Sequence, residues 1–190
     1  MASAFSHAIA SVAIGKGLSF REKAKFWLLG IFCSVIPDAD VIGFHYHIPY
    51  GNPFGHRGFT HSLLFAVLLA FIILFIFYRE NKIGSSKWLA LFTFFFLATA
   101  SHGILDAFTN GGLGVEFFFP FNTHRYFFPW RPIQVSPLNV GSFFSEWGLR
   151  VLCSEIIWIW IPSFVVIGIS FMMRRKKKIC KTNCLQTGTS

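Results

Sequence analysis

Long apolar runs alternate with short polar segments along this chain. The three longest runs are residues 63–78, 88–100 (extendable to 105) and 156–173, each near the roughly 20 residues that cross a bilayer core. Two shorter runs, 4–18 and 25–36, precede them, and we interpret these as further spans, although their length also suits buried or partly inserted helices. The pattern predicts an all-α protein, a polytopic membrane helical bundle with about four to five transmembrane helices.

The composition agrees with this interpretation. Hydrophobic residues make up 54% of the 190 residues and charged residues only 13%, and the mean hydropathy of +0.56 is far from the average of soluble proteins. We expect residues 1–178 to form a single integral-membrane helical domain with an outward loop segment at 106–147. Residues 179–190 are expected to form a polar cytoplasmic tail. The four cysteines do not indicate a disulfide framework.

The lysines predict which side of the membrane each loop faces. They occur only before residue 26, between residues 81 and 88, and after residue 173. Because cytoplasmic loops are enriched in lysine and arginine, five spans place the N-terminus outside and the C-terminus in the cytoplasm. The stretches 37–62 and 106–147 then face outward.

The net charge of +9 follows these loops and does not by itself indicate nucleic acid. We interpret the basic run at 174–178 as a solvated stop signal that touches anionic lipid, since no base-stacking or helix-docking features lie beside it. The expected partners are therefore membrane lipids and a small-molecule or lipid substrate, with no nucleic acid. The oligomeric state is not defined by the sequence.

Side chains that bind metal ions recur on the predicted outer side. When the rise of an α-helix is counted from the lysine-marked inner ends, most of them fall roughly 20–27 Å along their segments. His7 lies only roughly 14 Å above Lys16, so it joins the others only if the first helix is tilted or displaced. The residues of this set are His7, Asp38, Asp40, His56, His61, His102 and Asp106.

Spacing relates the histidines to their neighbours. His102 and Asp106 are four residues apart, so they share one helix face and can hold one ion or orient one another. His56 and His61 are five apart and would diverge on an ideal helix. We therefore place His56 in a glycine-containing loop and His61 on the first turn of the third apolar helix.

The two aspartates of the sequence PDAD are candidates for either metal binding or proton transfer. Asp38 and Asp40 point the same way only in an extended segment, which Pro37 favours by ending the preceding helix. Either of them, or Asp106, can act as a base instead of a ligand. Arg57 lies between two candidate histidine ligands and is suited to clamp a phosphate bidentately. The predicted catalytic residues are Asp38, Asp40 and Arg57.

Each polar residue taken alone also has a structural interpretation. Thr60 or Ser62 is an expected N-cap of the third span, and a lone intramembrane histidine can be a satisfied polar residue. Imidazoles and carboxylates that converge from four segments, however, suit zinc, manganese or iron better than a structural role. We expect one or two divalent ions, zinc first, held by His7, Asp38, His56, His61, His102 and Asp106.

The order of His7, PDAD, HRGFTHS and SHGILDAFTNGG resembles the YdjM-type family of membrane-bound metal-dependent hydrolases, over about residues 1–135. The resemblance implies a protein of the bacterial inner (plasma) membrane with a helical core distantly similar to zinc-dependent phospholipase C and related single-strand nucleases. It also implies a metal cluster that would map to His7, Asp38 or Asp40, His56 or His61, and His102 with Asp106.

Both lines of reasoning predict metal-dependent hydrolysis at the outer side of the membrane, on a phosphoester or lipid-like substrate. A bound divalent ion lowers the pKa of its water to roughly 7 and so provides a nucleophile at neutral pH. The aromatic segment 115–137 is expected to be an interfacial belt or, alternatively, a lid that admits an amphiphile. There are two rival interpretations. One is a non-catalytic scaffold with a structural metal. The other is a metal or ion transporter, and the apolar inner halves of the spans disfavour the transporter.

Overall fold

The computed structural model describes residues 1–18, 20, 22–137 and 140–187. This part of the chain is helical, with two isolated β-bridges and no named strand. The α-helices are α1 (Ala4–Gly17), α2 (Ala24–Val35), α3 (Leu63–Phe77), α4 (Ser86–Ala107), α5 (Val140–Phe143), α6 (Glu146–Glu155) and α7 (Ile161–Thr187). Two 3₁₀ segments, Ile36–Tyr46 and Phe59–His61, follow α2 and precede α3, and a π-helical turn at Ile156–Trp160 joins α6 to α7.

Three helical stretches of the described chain are long and apolar enough to cross a membrane. They are Ala24–Tyr46, Ser86–Ala107 and Glu146–Lys176. The predicted all-α bundle is thereby confirmed. Helix α3 is apolar but shorter, and α1 has 14 residues. A total of four to five spans, the orientation of the termini and the boundary between domain and tail stay predictions.

An aromatic core holds α1, α2 and α4 together. Phe94 of α4 is fully buried and stacks on Phe26 of α2 at a ring distance of 4.2 Å. Two glycines make room for its ring, because a Cβ atom would lie 2.8 Å from Phe94 at Gly15 and 2.6 Å from it at Gly30. These glycines therefore let α1 and α2 approach α4 closely.

The segment after α2 differs from the expectation. Pro37 does not lead into extended chain. The helix instead tightens into the 3₁₀ segment Ile36–Tyr46, in which Pro37 is one of the first two residues. With about three residues per turn, positions two apart point in different directions. The prediction that Asp38 and Asp40 point the same way through an extended segment is therefore wrong.

An irregular segment between α4 and α5 packs back against the loop that precedes α3. Its backbone pairs with itself at Val115 and Tyr126, with two N–H···O distances of 3.0 Å. It also bonds to the loop, since the Leu63 amide donates to the Phe117 carbonyl and the Glu116 amide donates to the Arg57 carbonyl, both at 3.0 Å. The ends of α2 and α4, the loop before α3 and this irregular segment thus meet at one end of the bundle.

Candidate metal centre

Four side chains place one ligand atom each around a common point at that end of the bundle. They come from the 3₁₀ segment after α2, from the 3₁₀ turn before α3 and from the last turns of α4: Asp38, His61, His102 and Asp106. Their ligand atoms all lie within 4.8 Å of one another. The two histidines and Asp106 are buried, and the Asp38 side chain is 12% exposed.

The distances between these atoms fit a single divalent ion. His102 Nε2 lies 3.1 Å from His61 Nε2, 3.2 Å from Asp38 Oδ1 and 4.0 Å from Asp106 Oδ2. His61 Nε2 lies 3.7 Å from Asp38 Oδ1 and 3.5 Å from Asp106 Oδ2. Around a tetrahedral zinc ion, nitrogen and oxygen ligands at their usual bond lengths lie about 3.3–3.6 Å apart. The five separations, 3.1–4.0 Å, bracket these values, so the four atoms lie close to the arrangement around one such ion.

A backbone carbonyl sets the protonation of His102. His102 Nδ1 lies 2.7 Å from the Ser34 carbonyl oxygen, which can only accept, so Nδ1 carries the hydrogen. In the neutral ring, Nε2 then keeps its lone pair and faces the other three ligand atoms. A metal-binding histidine commonly has its second nitrogen fixed in this way.

Asp40 contacts the Nδ1 atom of His61, the ring nitrogen that does not face the other ligand atoms. Asp40 Oδ2 lies 3.2 Å from His61 Nδ1 and accepts from the Thr60 hydroxyl at 2.6 Å and the Arg57 amide at 3.2 Å. The other oxygen, Oδ1, lies 2.6 Å from His56 Nδ1. Asp40, His56 and His61 form a second group that could hold a metal ion by spacing alone. The hydrogen bonds favour a different role for Asp40, that of fixing both imidazole rings.

The surrounding carboxylates make His61 a strong base. Burial disfavours its charged form, but contacts with Asp106, Asp38 and Asp40 outweigh burial and raise the pKa of His61 to about 10. The three carboxylates thus favour a cation at this point, either a proton on the ring or a metal ion in its place.

Arg57 is fully buried, with an ion-pair contact at Nε and hydrogen bonds from both terminal nitrogens. Its Nε lies 3.2 Å from Asp106 Oδ2, while its terminal nitrogens donate to the Gly111 carbonyl at 2.8 Å and the Thr109 hydroxyl at 3.0 Å. Its backbone has a φ of +64°, a left-handed conformation that is rare for a side chain of this size and is typical of functional sites. The phosphate clamp stays a prediction, and the observed contacts favour the role of holding Asp106.

His7 of α1 contacts two residues of the centre. Its ring stacks on that of His102 at 3.8 Å, and its Nε2 lies 3.6 Å from Asp106 Oδ1. His7 is fully buried, and neither of its ring nitrogens has a hydrogen-bond partner among the described residues. His7 lies outside the group of four whose ligand atoms lie within 4.8 Å of one another, so its role as a metal ligand stays a prediction.

The helix cap and the remaining histidines are also resolved. Ser62 caps α3, since its hydroxyl accepts from the Phe65 amide at 3.1 Å, whereas Thr60 bonds to Asp40. His56 lies in a turn, as expected from its spacing, and His61 ends the short 3₁₀ turn just before α3. The histidines left out of the predicted set, His45, His47 and His124, are exposed.

A cavity of about 400 Å³ opens beside the centre. His56 lines it, together with Tyr50, Val135, Ser136 and Trp147. This volume lies within the range of small-molecule sites. The four ligand residues are not among its lining residues, and His56 connects the cavity to them through Asp40.

Sequence reasoning missed two buried acidic residues near the centre. Glu116 pairs with Arg125 at 2.8 Å, and Glu155 accepts hydrogen bonds from the hydroxyls of Ser3 and Ser6 at 2.5 Å and 2.8 Å. Their partners lie far away in the sequence or in an irregular segment, so no periodicity marked them. The one available signal was the rarity of acidic residues, eight in the whole chain.

The fold and the site define the class of the protein: a helical membrane protein with a buried cluster of histidines and aspartates that could hold a metal ion. The chain belongs to the YdjM inner membrane protein family, whose model matches residues 1–177. It is 36% identical to the inner membrane protein YbcI of Escherichia coli (strain K12) over 177 residues, which cover 92% of this chain and 100% of YbcI. No solved structure matches. The chain is thus an inner membrane protein.

Proposed function

We propose that this protein is a membrane-embedded, metal-dependent hydrolase that acts at the outer side of the membrane on a phosphoester or lipid-like substrate. The observation that carries the proposal is the convergence of four ligand atoms, 3.1–4.0 Å apart over five measured pairs, from three separate segments. Burying so many ionisable groups in a membrane protein is costly, and function is the usual reason for such clusters.

The residues have distinct roles in this proposal. Asp38, His61, His102 and Asp106 hold a divalent ion, zinc or alternatively manganese or iron. When bound, the ion acidifies water and polarises a phosphoryl or acyl oxygen. Asp40 orients His61, which keeps its Nε2 lone pair directed at the ion.

His56 is the candidate for proton transfer. It lines the cavity, and Asp40 fixes the tautomer of its ring through Nδ1. A histidine held by a carboxylate in this way can exchange a proton through its other nitrogen, Nε2. The cavity lining combines His56 with the apolar surfaces of Val135 and Trp147. This combination suits an amphiphile that enters from the membrane surface.

A second candidate function is a scaffold with a structural metal. It is favoured by one specific observation: four protein ligands would fill a tetrahedral zinc site and leave no position for substrate. A metal with a higher coordination number keeps positions open. The two functions are therefore separated by whether the bound metal accepts an external ligand.

The test uses the full chain purified in detergent. The cobalt form is titrated with phosphate, and the native metal form is assayed on generic phosphodiesters and on phospholipids in mixed micelles. We expect phosphate to change the visible cobalt spectrum, and hydrolysis to be lost in His102→Ala but kept in His45→Ala, a matched histidine at an exposed position. A stoichiometric metal with a phosphate-insensitive spectrum and no hydrolysis would refute the hydrolase and favour the scaffold.

A further inference from the structure

The irregular segment after α4 contains a buried ion pair that neither the predicted site nor the family resemblance includes. Arg125 Nη2 lies 2.8 Å from Glu116 Oε1; Glu116 is 1% exposed and the Arg125 side chain 13%. A buried ion pair is weak evidence for a stabilising role, because desolvation offsets much of its attraction. Its other contacts therefore matter more than the pair itself.

Those contacts are made to the backbone of the loop that carries the site residues. Arg125 donates from Nη1 to the His56 carbonyl at 3.0 Å, and from Nη2 to the carbonyls of Tyr50 at 3.1 Å and Asn52 at 3.2 Å. The Glu116 amide donates to the carbonyl of the next loop residue, Arg57, at 3.0 Å. One arginine and its partner thus bond to four carbonyls of the stretch 50–57, which consists of turns and bends.

We propose that Arg125 and Glu116 are positioning residues of the metal centre, acting through the backbone of His56 and Arg57. This inference rests on the proposed function, since it requires that the centre hold a metal.

Two chains of contacts lead to the ligands, one from the Arg125 side chain and one from the Glu116 backbone. The Arg125 guanidinium bonds to the backbone carbonyl of His56, whose imidazole lies 2.6 Å from Asp40 Oδ1, and Asp40 in turn contacts His61. Through Arg57, the Glu116 amide supports a residue in a left-handed conformation.

The second chain is the shorter one. The Arg57 amide contacts Asp40 at 3.2 Å, and its guanidinium contacts Asp106 at 3.2 Å. A shift of this loop would therefore displace ligand atoms on both sides of the centre. The same contacts join the segment 115–126 to the loop, and the lid role of the aromatic segment stays a prediction.

The geometry of arginine makes the role specific to Arg125. A guanidinium presents its N–H donors in a planar fork, so Nη1 serves the His56 carbonyl while the two N–H groups of Nη2 are shared among the carbonyls of Tyr50 and Asn52 and the Glu116 carboxylate. A lysine at this position would keep the charge but offer a single ammonium group. Arg125→Lys therefore separates the fork geometry from the charge, and Glu116→Gln removes the charge of the partner at almost constant shape.

The experiment measures metal affinity, the cobalt spectrum and the melting temperature of the metal-free protein in detergent, for the wild type and three variants. The variants are Arg125→Lys, Glu116→Gln and the matched control Arg131→Lys. Arg131 lies on the same segment, is exposed and stacks on the Phe127 ring at 4.6 Å. Affinity is obtained by competition of Zn²⁺ against a chelator at a temperature where every variant is folded.

We expect Arg125→Lys to weaken Zn²⁺ binding about tenfold, in the range found when groups that orient metal ligands are removed. Its cobalt spectrum should also shift, whereas Arg131→Lys keeps both properties of the wild type. Glu116→Gln should act in the same direction as Arg125→Lys. A merely structural role would lower the melting temperature but leave the affinity and spectrum of the folded variant unchanged, and that result would overturn the inference.

The failure of the underlying proposal gives a different result. If wild-type protein binds no stoichiometric Zn²⁺, or if its binding survives His102→Ala, then the metal centre itself is refuted and this inference is refuted with it. Wild-type binding that depends on His102 and is insensitive to Arg125→Lys refutes the positioning role alone.

Discussion

Helix α4 carries two buried regions of opposite character. In its first half, Leu91, Phe94 and Phe95 pack into an apolar core with α2 and α3. In its last turns, His102 and Asp106 are equally buried but face other polar groups. Both regions use the same helix geometry, and only the side chains that meet there differ.

The two regions are therefore stabilised in different ways. The aromatic core is held by contact area and volume, so its energy is spread over many atoms. The His/Asp centre depends on a few directed contacts, each of which fixes one ligand atom. The described residues buried beneath the centre are mostly apolar, which disfavours a path for ions through the bundle and so argues against transport.

The largest effect is expected at His102. His102→Ala removes one of the four ligand atoms and leaves an empty space where the imidazole was. Stoichiometric metal binding should therefore disappear. Affinity should fall by more than about 100-fold, the upper end for groups that only orient ligands. Elemental analysis of the purified variant, beside His45→Ala, checks this outcome. A metal content equal to that of the wild type would contradict the assigned site.

A substitution in the aromatic core should have the opposite profile. Phe94→Ala removes a ring that α1 and α2 pack against, and we expect a loss of about 3–5 kcal/mol in the free energy of unfolding. His102 lies two helical turns away, about 12 Å along the axis, so the folded variant should keep its bound metal. Denaturation in detergent and metal analysis check both points. Loss of metal from a folded Phe94→Ala protein would show that the two regions are not separable.

A smaller effect than at His102 or Phe94 is expected at Asp40, which contacts His61 and His56 but is not assigned as a ligand. Asp40→Asn keeps the shape of the side chain while weakening its hold on both rings. Metal affinity should fall about 10- to 100-fold without loss of stoichiometry at saturating metal. A chelator competition series measures this. A loss of metal as complete as in His102→Ala would instead make Asp40 a direct ligand.

The helices of the aromatic core were predictable from the sequence because the signals that mark them are local. The predicted runs 63–78 and 88–105 correspond closely to α3 and α4, since hydrophobicity and helix length are properties of adjacent residues. The pairing of His102 with Asp106 followed from helix spacing in the same way. The proximity of Asp38 and His61 to His102 was expected from depth, whereas His56 falls in a second group with Asp40, and His7 stacks on His102 outside both groups.

The His/Asp centre was only partly predictable from the sequence, because its contacts join residues that are distant in the chain. Arg125 meets the His56 carbonyl across 69 residues, and Glu155 meets Ser6 across 149, so neither pairing leaves a periodic pattern. The split between Asp38 and Asp40 arises from a local 3₁₀ conformation that Pro37 permits but does not specify. Contacts of this kind depend on how the chain folds as a whole.

The most direct test of the metal centre is X-ray absorption at the metal edge, on wild-type protein purified in detergent with its bound metal. We predict one ion per chain with a first shell of nitrogen and oxygen at about 2.0–2.2 Å, including the scattering pattern of two imidazoles and no sulfur. The absence of a bound ion, or a sulfur shell at about 2.3 Å, would contradict the assignment of His61, His102, Asp38 and Asp106 as the ligands.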